Sequence, residues 1–169
     1  PDGEDNDSTN QDFVFNFAEI TDAYFAGNFA VEGAADASGF DKLGAYGAFN
    51  GQYQFFLDTN DDGVGDTVGS MAFQVNAIPI AGNFNDAHPG DEIGAFDGRN
   101  WYLDTNGNNH IDAGEHFPTN LRGIPVVGDF TGDGLVDLAT FNNDSGVFFF
   151  DTNRNGSAND QLTYRFSGY

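Results

Sequence analysis

Short runs in which apolar side chains alternate with small or polar ones, each closed by a cluster of Asp, Asn and Gly, recur along the chain. Period-two alternation predicts strands with one face on a core, and no stretch carries the 3.6-residue period of an amphipathic helix. Three runs are near copies: Phe55-Phe56-Leu57-Asp58-Thr59-Asn60, Trp101-Tyr102-Leu103-Asp104-Thr105-Asn106 and Phe148-Phe149-Phe150-Asp151-Thr152-Asn153. Their aspartates recur after 46 and then 47 residues. Self-similarity at that period marks an array in which each unit is one supersecondary element.

The last two units align strand by strand. Ile78-Pro79-Ile80-Ala81-Gly82 matches Ile124-Pro125-Val126-Val127-Gly128, and Glu92-Ile93-Gly94-Ala95-Phe96 matches Asp137-Leu138-Ala139-Thr140-Phe141. The aromatic strand comes third, and Gly114-Glu115-His116-Phe117 or Gln161-Leu162-Thr163-Tyr164-Arg165-Phe166 closes the unit. The first unit is a looser copy, with Tyr24 to Phe29 and Lys42 to Tyr46 as its opening strands. Four strands per unit is the pattern of a propeller blade. The expected fold is all-β: three four-stranded propeller-like blades over 22–77, 78–123 and 124–169. An acidic tail (1–12) and an extended N-terminal strand (13–21) precede them. That strand either completes the last blade of its own chain or pairs with the open edge of a neighbour.

The turns after the aromatic strands carry candidate chemistry. Asp104, Asn106, Asn108, Asp112 and Glu115 occupy positions 1, 3, 5, 9 and 12 of a loop whose position 7 is His110, offering a backbone carbonyl. That is the ligand spacing of an EF-hand loop, and Ca²⁺ takes six to eight such oxygens. Asn109 stands at position 6, where Gly is usual; Asn also adopts the left-handed turn. Asp58, Asn60, Asp62, Val64 and Asp66 repeat the spacing, as do Asp151, Asn153, Asn155, Ser157 and Asn159, with a neutral Asn in the ninth place. A second class of loop joins the first two strands of a unit, and Asp129, Thr131, Asp133, Leu135 and Asp137 give it the same spacing. Its counterpart, Asn83 and Asn85 followed by Asp91 and Glu92, carries an insertion with His88-Pro89; the first unit has lost the spacing. Asp, Asn and Gly also fill tight turns for backbone reasons alone. Oxygen side chains in register across several loops favour calcium as a structural staple.

Composition narrows the partners. The formal net charge is −22 with five Lys and Arg among 169 residues, so the chain repels itself unless cations neutralise part of it. Nucleic acid and anionic membrane surfaces are excluded as natural partners for want of a basic patch, and no apolar run reaches membrane-spanning length. The 19 Phe residues supply core material, and the absence of Cys excludes disulfides and thiol chemistry. A start at Pro1 suggests processing or trimming. No His lies in a zinc or nucleophile motif, so no enzymatic role is expected. Three Asn-X-Ser tripeptides, at Asn6, Asn143 and Asn155, fit the glycosylation pattern.

The run from Gly128 to Ala139, Gly-Asp-Phe-Thr-Gly-Asp-Gly-Leu-Val-Asp-Leu-Ala, resembles FG-GAP/VCBS-type repeats of extracellular bacterial proteins, as does the stretch from Glu92 to Gly107. The resemblance implies propeller blades with Ca²⁺ held between the first two strands, an extracellular or cell-surface location, and adhesion or scaffolding. Three blades are fewer than such propellers close with, so the chain is expected to belong to a longer protein, to close by oligomerising, or to add head to tail. The expected function is a calcium-stabilised structural or adhesive protein that assembles with itself through blade edges and the N-terminal strand. The alternatives are a carbohydrate-binding module or lectin and an accessory fragment of a secreted hydrolase; Trp101 and Tyr102 could stack glycans, but the matching Phe55/Phe56 and Phe148/Phe149 favour a core role for them.

Overall fold

The computed structural model describes residues 20, 23–29, 40–60, 62–87 and 90–163. Among them there is no helix, and thirteen strands form three sheets. The first sheet is the meander β1 (Ala23–Gly27), β2 (Lys42–Phe49), β3 (Gln52–Leu57) and β4 (Thr67–Met71). Next come β5 (Ile78–Gly82), β6 (Glu92–Phe96) and β7 (Asn100–Leu103); β8 (His110–Ile111) leaves them to pair parallel with β4, and β9 (His116–Pro118) closes the second sheet. The third sheet is β10 (Ile124–Gly128), β11 (Asp137–Asn142), β12 (Val147–Asp151) and β13 (Asp160–Thr163). The expected strand at 13–21 and the chain beyond Thr163 lie outside the described residues, apart from Ile20.

The registers of the three sheets superimpose. Tyr46 pairs with Phe55, Phe96 with Trp101 and Phe141 with Phe148. Directly paired residues share a face of a sheet, so each sheet carries these aromatics on one side, its forward face. The forward face of the first sheet (Tyr46, Phe55, Leu57) buries against Ile93, Ala95 and Tyr102 on the back of the second. The forward face of the second (Ile80, Phe96, Trp101, Leu103) buries in turn against Leu138, with Val127 and Phe149 packed beside it on the back of the third. Burial on both faces explains why strands such as β6 lack a polar side; all five of its residues are buried.

Loops stitch neighbouring sheets together. The Ser70 and Ala72 N–H groups donate to the carbonyls of Asn109 and Ile111 at 3.0 and 2.9 Å. One joint further on, the Asn120 N–H donates to the Gly156 carbonyl at 2.7 Å. Pro118 stands where the first sheet has Ser70, and without an N–H it cannot make the earlier bond.

Gly156 sits at φ +84° and a Cβ there would stand 2.5 Å from the Pro118 carbonyl oxygen. The left-handed backbone alone costs an L-residue roughly 1–2 kcal/mol. Because the obstacle is backbone, Gly156→Ala is expected to lower stability by about 2–4 kcal/mol in urea unfolding. Gly51→Ala has a similar φ of +82° with open space around it. It should lose only about 1 kcal/mol, the conformational part.

Candidate metal centres

All four loops predicted to hold a cation close in the same way. In each, the first-position aspartate accepts the N–H of position 6. The distances are 2.9 Å for Asp58 from Gly63, 2.8 Å for Asp104 from Asn109, 2.9 Å for Asp129 from Gly134 and 2.7 Å for Asp151 from Gly156. Every one of those donors has positive φ, between 58° at Asn109 and 91° at Gly134. Asn109 therefore takes the left-handed turn in place of glycine. The fifth-position side chains of Asp62, Asn108, Asp133 and Asn155 then accept the N–H of position 7 at 2.7–2.9 Å.

Each loop is drawn shut by a later oxygen-bearing side chain. Asp66 accepts the N–H of Thr59 at 3.0 Å, Asp137 those of Phe130 and Thr131 at 2.9 and 3.0 Å, and Asn159 that of Thr152 at 2.7 Å. In the longest loop Glu115 takes this role, accepting from Thr105 at 2.7 Å, while Asp112 accepts from the side chains of Asn106 and Asn108 at 3.1 and 3.2 Å. In the first loop, Asn60 lends its amide to Asp66 at 3.0 Å. Thr131 and Asn153 hold the third positions of the other two loops, and the Asn153 side chain accepts the N–H of Asn155 at 3.3 Å. At the seventh positions, Val64, Leu135 and Ser157 donate their N–H groups inward, as His110 does.

The acids that open the aromatic-strand loops are the buried ones. Asp58, Asp104 and Asp151 are at most 1 % exposed, whereas Asp129 opens its loop at the surface. Asp58, Asp62 and Asp66 each bring a carboxylate oxygen to within 4.8 Å of the others, close enough to share one cation. Carboxylate, amide and carbonyl oxygens are the donor set a hard cation prefers, and none is a soft ligand. The residues present therefore fit Ca²⁺: Asp58, Asn60, Asp62 and Asp66, with the Val64 carbonyl, would hold it in the first loop.

The first unit departs for a visible reason. In register, Lys42 stands opposite Gly27 as Glu92 does opposite Gly82 and Asp137 opposite Gly128. Its buried ammonium donates to the Phe29 carbonyl at 3.2 Å, so a fixed cation occupies the place where the other units have an acid. In the second unit, Glu92 accepts from Phe84 at 2.7 Å, while His88 and Pro89 lie outside the described residues.

Burial pushes three of the acids in and beside these loops towards protonation. It pushes Glu92 up to about 7, against the pull of the Phe84 N–H and with Asp104 adding to the push. Burial also pushes up Asp91 and Asp104, the latter despite donation from Gly107 and Asn109. A carboxyl whose folded pKa lies above its unfolded one holds its proton more tightly when folded. Its stabilising effect is complete below the ordinary carboxylate range and is lost as pH rises through the folded value. In chelator, the melting temperature should therefore be higher near about pH 5 than near about pH 8. Glu92→Gln should flatten the part of that dependence between about pH 4.5 and 7.

One arrangement was not legible in the sequence. Ser70 Oγ lies 2.7 Å from His110 Nδ1, and His110 Nε2 lies 3.7 Å from Asp112. These residue types can form a nucleophilic triad, but 3.7 Å is too long for a hydrogen bond that would orient the ring. The Ser70 N–H is already given to Asn109. The contact ties β4 to β8. Trp101, considered as a glycan platform, is 1 % exposed and stacks on Phe96 at 4.2 Å, and Tyr102 is buried in the other sheet joint. Neither offers a face to a sugar.

Comparison with protein-family models, with curated proteins and with solved structures finds no match for this chain.

Proposed function

We propose that this chain is a calcium-stabilised structural or adhesive repeat protein of the FG-GAP/VCBS kind, acting outside the cell and assembling with copies of itself. The observation that carries the reading is one loop geometry used four times, each with an aspartate closed on the left-handed sixth residue. Turn formation alone calls for Asp, Asn and Gly, yet it does not call for oxygens at every odd position. The net charge of −22 supplies the need for a counter-ion. Several ligands are neutral Asn, Ser or Thr oxygens, and lower ligand charge weakens affinity into the range of extracellular modules, about 10⁻⁴–10⁻³ M.

The propeller arrangement of the sheets belongs to the same proposal. Its support is that the opening strands of adjacent sheets lie side by side, β1 next to β5 and β5 next to β10, as around a common axis. In this reading the ions neutralise and rigidify the loops, the loops hold adjacent sheets in register, and the protein has no catalytic role. The glycan-binding alternative loses its platform with the burial of Trp101 and Tyr102.

Calorimetric titration of the chelator-stripped chain with Ca²⁺ tests the proposal. Heat of binding is expected for the wild type, with one site fewer in Asp104→Ala. Absence of binding at millimolar calcium would refute it.

A further inference from the structure

The outer side of the third sheet is an apolar trough of about 760 Å³, lined by Val126, Phe130, Phe141, Phe148, Phe150 and Leu162. In register, Phe141, Phe148 and Phe150 are the counterparts of Tyr46, Phe55 and Leu57 in the first sheet and of Phe96, Trp101 and Leu103 in the second. In those two sheets the same positions are closed by the back of the next sheet. The trough is thus the third instance of a face whose first two instances are sheet joints. Phe130 is 45 % and Leu162 50 % exposed, on a contiguous patch of the kind that marks an interaction surface.

The complementary face lies at the other end of the array. Tyr24, Ala45, Phe56 and Val68 pair in one row across the back of the first sheet. Tyr24 and Val68 are 61 % and 52 % exposed. Ile20 is buried there against Ala45 and Phe56. It precedes β1 by the same three residues that separate Val75 from β5 and Leu121 from β10, and Val75 and Leu121 pack into the two existing joints. The back of the first sheet is therefore equipped as the backs of the second and third are.

The connecting hydrogen bonds repeat as well. The Asp91 N–H donates to the Asn28 carbonyl at 3.1 Å, and the Val136 N–H donates to the Asn83 carbonyl at 2.9 Å. Continuing the register, the Asp41 N–H of a second copy would meet the Asp129 carbonyl.

We infer that the phenylalanine trough on the third sheet is the docking site for the back of the first sheet of a second copy of this chain, joined head to tail as a continuation of the internal stack. The inference rests on the assembly reading above and replaces blade edges with a sheet face as the joint. Such a contact is heterologous, so copies add in one direction until the rotation closes a ring or a filament grows.

Sedimentation over a concentration series, in saturating calcium, tests this. The weight-average mass of the wild type should rise about two-fold or more. Phe148→Asp in the trough and Val68→Glu on the opposite end should each stay monomeric. Val68 is exposed, so its variant separates lost docking from lost folding, which an unchanged melting curve verifies. The chain has no Cys, so cross-linking is free of background. Gly69 and Ile93 face each other across the first joint; their counterparts are Leu162 and Leu43. A short bismaleimide should link a Leu162→Cys chain to a Leu43→Cys chain, and neither to Ser145→Cys. A wild type that is monomeric at every concentration overturns the inference and leaves the trough to another segment or protein. Association that survives both charge variants also overturns it, placing the joint elsewhere. Calcium titration of the same samples shows independently whether the metal reading stands.

Discussion

Removing calcium is expected to lower the melting temperature by on the order of 20 °C. A ligand that binds only the folded state stabilises it by about 2.7 kcal/mol per site at a hundred times its Kd. In a domain of this size about 1 kcal/mol moves the midpoint by about 2–4 °C, so the four loops together reach that shift. The structural cause is local. Asp58, Asp104 and Asp151 are buried carboxylates that each accept backbone N–H groups of their own loops. A cation would offset the cost of burying them and the mutual repulsion of each loop's acids. Asp104→Ala should remove about a quarter of the calcium-dependent increment, the share of one loop in four. Calorimetry with and without chelator reads both effects, and identical melting curves for the wild type in the two buffers would end the staple reading.

Trp101→Ala should be the most damaging single side-chain truncation, costing about 3–5 kcal/mol in urea unfolding. Trp101 is 1 % exposed and lies in the joint of the second and third sheets with Ile80, Leu103 and Leu138. Its loss opens a cavity that sheets cross-linked by loops close poorly. Trp101→Phe should cost much less, because the indole Nε1 has no hydrogen-bond partner among the described residues and Phe occupies the same register position in the first and third sheets. A Trp101→Ala chain that keeps wild-type stability would contradict the packing described above.

Much of the architecture was legible because its signals are local. Strand alternation and the Asp-to-sixth-residue turn are each written within a dozen residues, and the all-β class follows from them. The loop chemistry was readable for the same reason, since its closure uses bonds between residues at most ten apart. What was not legible involves partners far apart in sequence. β8 reads as part of a cation loop, yet it pairs with β4 and sets Ser70 against His110, 40 positions away. The role of Lys42 as a built-in cation depends on β1–β2 register, which composition does not reveal.

By itself, then, the sequence determined the all-β character and the turns that close an aspartate on a left-handed sixth residue, because short-range backbone geometry demands particular residues at particular spacings. Only the tertiary structure decided which faces of the sheets are inside. An aromatic strand reads the same whether its neighbour is water or another sheet, so Trp101 and Phe148 look alike in sequence. The first is sealed by the following sheet and the second lines an open trough, because packing depends on which sheet comes next in space.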